Sequence, residues 1–174
     1  MGIALGPNQY GKAENRVVRV YRDTDRHEIR DLNVSTSLRG DFSEAHITGE
    51  QGDVLPTDTQ KNTVFAFAKE KGITSPEQFG LALGAHFLDV TPKANASRIE
   101  IEEYAWERIE VDDSGHDHSF VRRGPEVRTT VVTTDDSSAE RRVWVVSGVQ
   151  DLVILSYSRL GKRPEQGQDF GTNF

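Results

Sequence analysis

The hydrophobic period of this chain changes twice, and the order of those changes limits the fold more than any single residue does. Residues 27–39, HEIRDLNVSTSLR, alternate: Leu32, Val34 and Leu38 share one face, and Asp31, Asn33, Ser35 and Ser37 share the other. Strict alternation with one apolar face reads as a strand in a sheet that is covered on one side. The β-branched run RVVRVYRD, residues 16–23, precedes it as a first strand, with DTDR as the turn between. From residue 57 the apolar spacing becomes helical, and it stays so to about residue 90. Residues 97–112, SRIEIEEYAWERIEVD, then return to period two, with Ile99, Ile101, Ala105, Ile109 and Val111 against Glu100, Glu102, Arg108 and Glu110. DSGHD turns the chain, and residues 118–134 form the returning strand. The order is ββααββ. An α+β fold with a four-stranded antiparallel sheet and two helices packed on one face buries both helical stripes together. Residues 42–48, FSEAHIT, are expected to extend the second strand past a bend at Gly40, and GEQGD follows as a loop.

Both helices carry start signals. Residues 57–71 end at Gly72, a C′ residue. Thr57-x-x-Gln60 has capping-box spacing, which predicts Thr57 as an N-cap worth about 1 kcal/mol. Asp58 in the first turn suits the positive end of the helix. The second start, Ser75-Pro76-Glu77-Gln78, has a cap, proline at the first helical position and a box. Phe79, Leu83 and Phe87 follow four apart, with Ala82 and His86 beside them.

The remainder reads as a second unit begun and broken off. Residues 1–134 hold the ββααββ unit. Within 135–155, DDSSAE is a linker and RRVWVVSGVQDLVIL is a strand-like hairpin without helices to cover it. Residues 156–174 are Gly-rich and polar, lose all periodicity, and read as a flexible tail.

Composition removes several classes. The formal charge of −7 argues against a nucleic-acid binder. There is no cysteine, so disulfides, thiolate metal sites and cysteine nucleophiles are excluded together. No apolar run approaches the roughly 18 residues of a membrane span. The start MGIALGPNQYGK lacks a basic n-region and the end GTNF is not a peroxisomal address, so a cytoplasmic location is expected.

Few clusters suggest chemistry. His116-x-His118 could place two imidazoles on one side of a strand, but no third ligand is evident and a polar hairpin turn explains the pair equally. His46 and His86 read as core or interface histidines. The carboxylates of 100–113 read as the solvated face of a strand. Lys12, in Tyr10-Gly11-Lys12 just before the first strand, is ordinarily a solvated charge. Held against a threonine hydroxyl in a dry pocket, it could act as a base.

Four segments in order, YGKAENRVVRVYR, VLPTDTQKNTVFAFAKE, SPEQFGLALGAHFL and DDSGHDHSFVRR, resemble the urate oxidase (uricase) family. The resemblance runs from about residue 5 to 155. It implies a subunit of two tandem T-fold (tunnelling-fold) units, each ββααββ, so that this chain holds the first unit and the start of a second. It implies oxidation of urate by O2 to 5-hydroxyisourate and H2O2, with no metal and no organic cofactor. It assigns Lys12 and Thr57 to a proton-relay dyad, and Thr57 and Asp58 to contact with urate. It implies a homo-oligomer, a tetramer in the family, with sites between subunits.

The resemblance stops at Ser156. In the family a phenylalanine stacks on urate and an arginine further on pairs with it, and the second unit adds Gln, Asn and His. Here Lys162 stands at the phenylalanine position and nothing beyond Ser156 matches, as a frame change or junction near 155/156 would produce. A chain with one wall of a site is expected to turn over urate weakly or not at all. Two other readings stand beside it. One is a non-catalytic T-fold module that self-associates through sheet edges. The other is a pterin-type T-fold enzyme, which zinc content would reveal.

Overall fold

The structure, a computed structural model, describes residues 4–155. The elements are β1 (Asn8–Tyr21), β2 (Glu28–Gly40), α1 (Ser43–Ile47), α2 (Thr57–Glu70), α3 (Pro76–Val90), β3 (Ala94–Tyr104), β4 (Glu107–Val111), β5 (Ser114–Val121), β6 (Val127–Asp135) and β7 (Arg142–Gln150). One sheet has the order β1-β2-β3-β6-β7, and β4-β5 is a separate hairpin. All pairings are antiparallel. The α+β class and the ββααββ frame are as the sequence predicts, carried by β1, β2, α2, α3, β3 and β6. The expected tail, 156–174, lies outside the described residues.

The core lies between the helices and one face of the sheet. Leu32, Val34 and Leu38 of β2, Ile99 and Ile101 of β3 and Val132 of β6 meet Val64 and Phe67 of α2 and Phe79, Leu83 and Phe87 of α3. Each such side chain contributes about 1.5–3 kcal/mol on burial. Gly80 lets α3 approach closely, since a Cβ there would stand 2.7 Å from Val132 Cγ2.

Six local expectations are corrected. Residues 42–48 do not continue β2. Phe42 turns into the core and packs edge-on against Tyr10, ring centroids 4.8 Å apart, and the short α1 follows. Just past the end of β2 the Asp41 N–H bonds the Lys93 carbonyl at 3.0 Å, and the chain then leaves the sheet. His46 therefore sits exposed on α1 rather than in a strand, whereas His86 does lie between helices, 4.9 Å from the Phe67 ring.

Thr57 is not the N-cap of α2. Pro56 occupies that position with extended backbone (φ −55°, ψ 139°), and no side chain caps the helix. Thr57 is already helical, so its hydroxyl is not placed to take the N–H three residues on. Ser75 does cap α3, its Oγ accepting from the Gln78 N–H at 3.2 Å.

Residues 97–112 are two strands. The chain breaks at Ala105–Trp106, where the indole N–H bonds Asp31 Oδ2 at 2.8 Å and pins the bend to β2. The returning segment is likewise divided: β5 pairs back on β4 through a two-residue turn at Asp112 and Asp113, both with positive φ, and β6 begins only after the Gly124 turn. Residues 141–155 hold one strand, β7, added to the main sheet beside β6, not a hairpin of its own.

Candidate active site at the start of the second helix

The first wall is built by β1. The strand begins at Asn8, so Tyr10, Gly11 and Lys12 lie within it and not before it. Gly11 is required by the neighbouring strand, because an added Cβ would overlap the Thr36 carbonyl oxygen. One residue later the register slips: Lys12 pairs with Thr36 but Asn15 pairs with Val34. Ala13 and Glu14 of β1 therefore oppose Ser35 of β2 alone, which is a β-bulge. Glu14 takes φ 56° within it, and its N–H bonds Ser35 Oγ at 3.0 Å.

The bulge removes the regular ladder at Lys12, and side chains take its place. Buried Asn15 donates to the Lys12 carbonyl at 3.2 Å and to the Val34 carbonyl at 2.9 Å. Buried Thr36 has its hydroxyl 3.3 Å from the Lys12 carbonyl and 2.8 Å from Gln60 Oε1. Gln60, 0% exposed, donates from Nε2 to the Leu55 carbonyl at 3.3 Å. A continuous polar path thus joins the backbone of Lys12 to the loop that enters α2.

The second wall is the first turn of α2. The first intrahelical bond runs from the Gln60 N–H to the Pro56 carbonyl at 3.1 Å. The N–H groups of Thr57, Asp58 and Thr59 precede it without a helical partner, as at any helix start. Thr57 is exposed, and its side chain is not used in capping. The Asp58 carboxylate pairs with Lys61 Nζ at 2.6 Å and accepts from Asn62 at 3.1 Å. Its pKa is held below the usual range, first by the Lys61 hydrogen bond and charge, with a lesser contribution from the charge of Lys12. Through Thr36 and Gln60 the fold ties the Lys12 backbone to the first turn of α2. Positive potential and free N–H groups make that turn suited to an anion.

Sequence reasoning named Lys12, Thr57 and Asp58 but missed Gln60, Thr36 and Asn15 as the groups that hold them. A signal was available. Gln60 falls on the stripe continued by Val64, Phe67 and Ala68, and Thr36 falls on the face of Leu32, Val34 and Leu38. A polar residue on an apolar stripe needs a partner, because burying it unpaired is costly.

Other clusters lie elsewhere. The His116 and His118 rings are 4.5 Å apart, and His27 is 5.7 Å from His118. Among the described residues no group of three or more His, Asp or Glu is disposed to hold a metal. On the sheet face away from the helices the carboxylates are not simply solvated. Glu102 accepts from Asn33 at 3.1 Å and Tyr104 at 2.8 Å, which hold its pKa below the usual range. Asp31 pairs with Arg16 at 2.6 Å. Among the described residues no helix is long and apolar enough to cross a membrane.

Comparison with known proteins agrees with this architecture. The Uricase family model matches residues 8–133. A uricase of Arthrobacter globiformis is 45% identical over 153 residues, covering 88% of this chain and 48% of the relative. A uricase of Dictyostelium discoideum is 37% identical over 157 residues, covering 88% and 53%. The crystal structure of the Arthrobacter globiformis uricase superimposes with a TM-score of 0.80 at 40% identity, over 98% of this chain and 58% of that one. The chain spans about half the length of the curated relatives it matches. With the match spanning the β1 wall, the α2 turn and the sheet that joins them, the chain belongs to the uricase family.

Proposed function

We propose that this chain supplies one wall of a urate oxidase site, and that a second chain completes it. The reaction is urate, O2 and water to 5-hydroxyisourate and H2O2. Urate gives two electrons to O2, which leaves as peroxide, and water supplies the added oxygen. No metal or organic cofactor is invoked. The Lys12 amine, when neutral, takes the proton of the Thr57 hydroxyl, and that oxygen takes a proton from urate. The more electron-rich anion is the better donor to O2. Asp58 and the free N–H groups of the α2 turn orient the purine, so the protein acts by positioning and by a fixed field. The observation that carries the reading is the hydrogen-bonded path from the Lys12 carbonyl through Thr36 to Gln60, which ties β1 to the first turn of α2 beside Thr57 and Asp58.

Exposure of Thr57 supports the division between chains. A planar anion needs a stacking face and a cationic clamp, for which arginine has the fixed fork. The reading includes a cytoplasmic setting, with which a chain that carries no disulfide is compatible. The test is complementation: this chain is mixed with a full-length relative whose own lysine–threonine pair has been removed. Urate consumption should appear on mixing. It should vanish with Lys12→Met and fall at least about a hundredfold with Thr57→Ala, as for loss of a positioned proton-transfer group. Full activity with Lys12→Met would remove the relay.

A second reading, a non-catalytic self-associating module, has one observation in its favour. Every residue of β7 is exposed, including Val143, Trp144, Val145 and Val146. Such an edge seeks a strand partner.

A further inference from the structure

We propose that Gln60 and Thr36 are positioning residues whose hydrogen-bonded tie sets the spacing between Lys12 and the first turn of α2. The inference rests on the reading of Lys12 and Thr57 given above. The two members of that pair come from different elements, 45 positions apart in sequence (57 minus 12). Something must fix their separation, and the apolar core alone fixes it loosely, since apolar contacts have no direction.

The tie has direction at each step. The Thr36 hydroxyl has one hydrogen and two acceptors in reach. Gln60 Oε1 at 2.8 Å is the nearer, and the Lys12 carbonyl at 3.3 Å takes the weaker share. The Gln60 amide group is then committed, with its oxygen to Thr36 and its nitrogen to the Leu55 carbonyl, two residues before Thr57. Its orientation follows, because reversing the amide would face oxygen to the Leu55 carbonyl. One side chain thus clamps β2 to the loop entering α2, while Thr36 and Asn15 hold the bulge at Lys12.

An apolar residue would fill the Gln60 position at no desolvation cost, as Val64 and Phe67 do on the same stripe. Retaining an amide there is what a defined register requires. A misplacement of roughly 1 Å in such a pair can cost about a hundredfold in rate.

The test uses Gln60→Met and Thr36→Val, which keep volume and remove the tie, and Thr36→Ser, which keeps the hydroxyl. In the complementation assay the first two should lower kcat tenfold or more with KM within about twofold, and Thr36→Ser should retain most of kcat. A general loss of folding would instead lower the concentration of competent chain, read independently by circular dichroism melting. If the wild-type chain complements and Gln60→Met keeps its kcat, the positioning role is overturned while the relay stands. If the wild-type chain does not complement, the relay reading fails, and the tie is judged from crystal structures. Gln60→Met should then lengthen the Lys12 to Thr57 Cα separation by roughly 1 Å, the scale that matters for a reacting pair. An unchanged separation overturns the inference.

Discussion

Thr57 and Ser75 head segments of the same capping-box spacing, yet only Ser75 caps a helix. The difference is one position of proline. Pro76 takes the first helical place and leaves Ser75 extended as the cap, whereas Pro56 takes the cap place and pushes Thr57 into the helix. Spacing alone did not distinguish the two; the proline offset would have. Ser75→Ala should therefore cost about 1 kcal/mol in chemical denaturation, and Thr57→Ala less than about 0.5 kcal/mol, as for a surface change. Equal losses would contradict the assignment. Gly11 carries a second residue-scale prediction. Gly11→Ala should force β1 away from β2 at Thr36 and displace Lys12, so complementation activity should fall with a lowered melting temperature. An unchanged melting temperature and rate would show that the strands have room. Lys12, Thr57 and Asp58 became candidates through the family resemblance, while the bond between Gln60 and Thr36 is visible only once two apolar stripes are brought face to face.

At the scale of elements, alternation identified the strands but not where they stop. In residues 97–112 Glu103 and Glu107 fall on the otherwise apolar face, so the pattern weakens where the strand breaks, and the Trp106 indole holds the bend through a hydrogen bond to Asp31, 75 residues earlier. The placement of β7 is also non-local. Glu77 at the start of α3 accepts from Ser147 of β7 at 2.6 Å, Arg128 of β6 at 2.6 Å and Thr130 at 3.2 Å. These contacts, the Ser147 bond first, hold its pKa at about 2, below the ordinary 4.5. A depressed carboxylate stabilises the fold above its unfolded pKa and ceases to do so as pH falls through the folded value. Docking of β7 should thus be constant above pH 4.5 and weaken between there and about pH 2. Amide exchange across Arg142–Gln150 measures it: protection should fall in that window for the wild type and be low and nearly flat with pH for Glu77→Gln. The same acid dependence in Glu77→Gln would assign the loosening to another group.

Among the described residues the sheet has one covered face and an edge strand, β7, with no strand beyond it. Helices cover β1, β2, β3 and β6, while β7 ends the sheet with Val145 43% and Val146 67% exposed. Sedimentation of the 174-residue chain should show concentration-dependent association, reduced by Val146→Lys, since a lysine on an edge strand opposes pairing. A monodisperse monomer at high concentration would remove the self-association reading. Division of the site between chains can be checked by urate consumption with the isolated 174-residue chain. The chain alone should cause no measurable loss of urate absorbance, and absorbance should fall with equimolar peroxide formed once the complementing chain is added. Turnover by the isolated chain at an ordinary enzyme rate, about 10 per second, would contradict it.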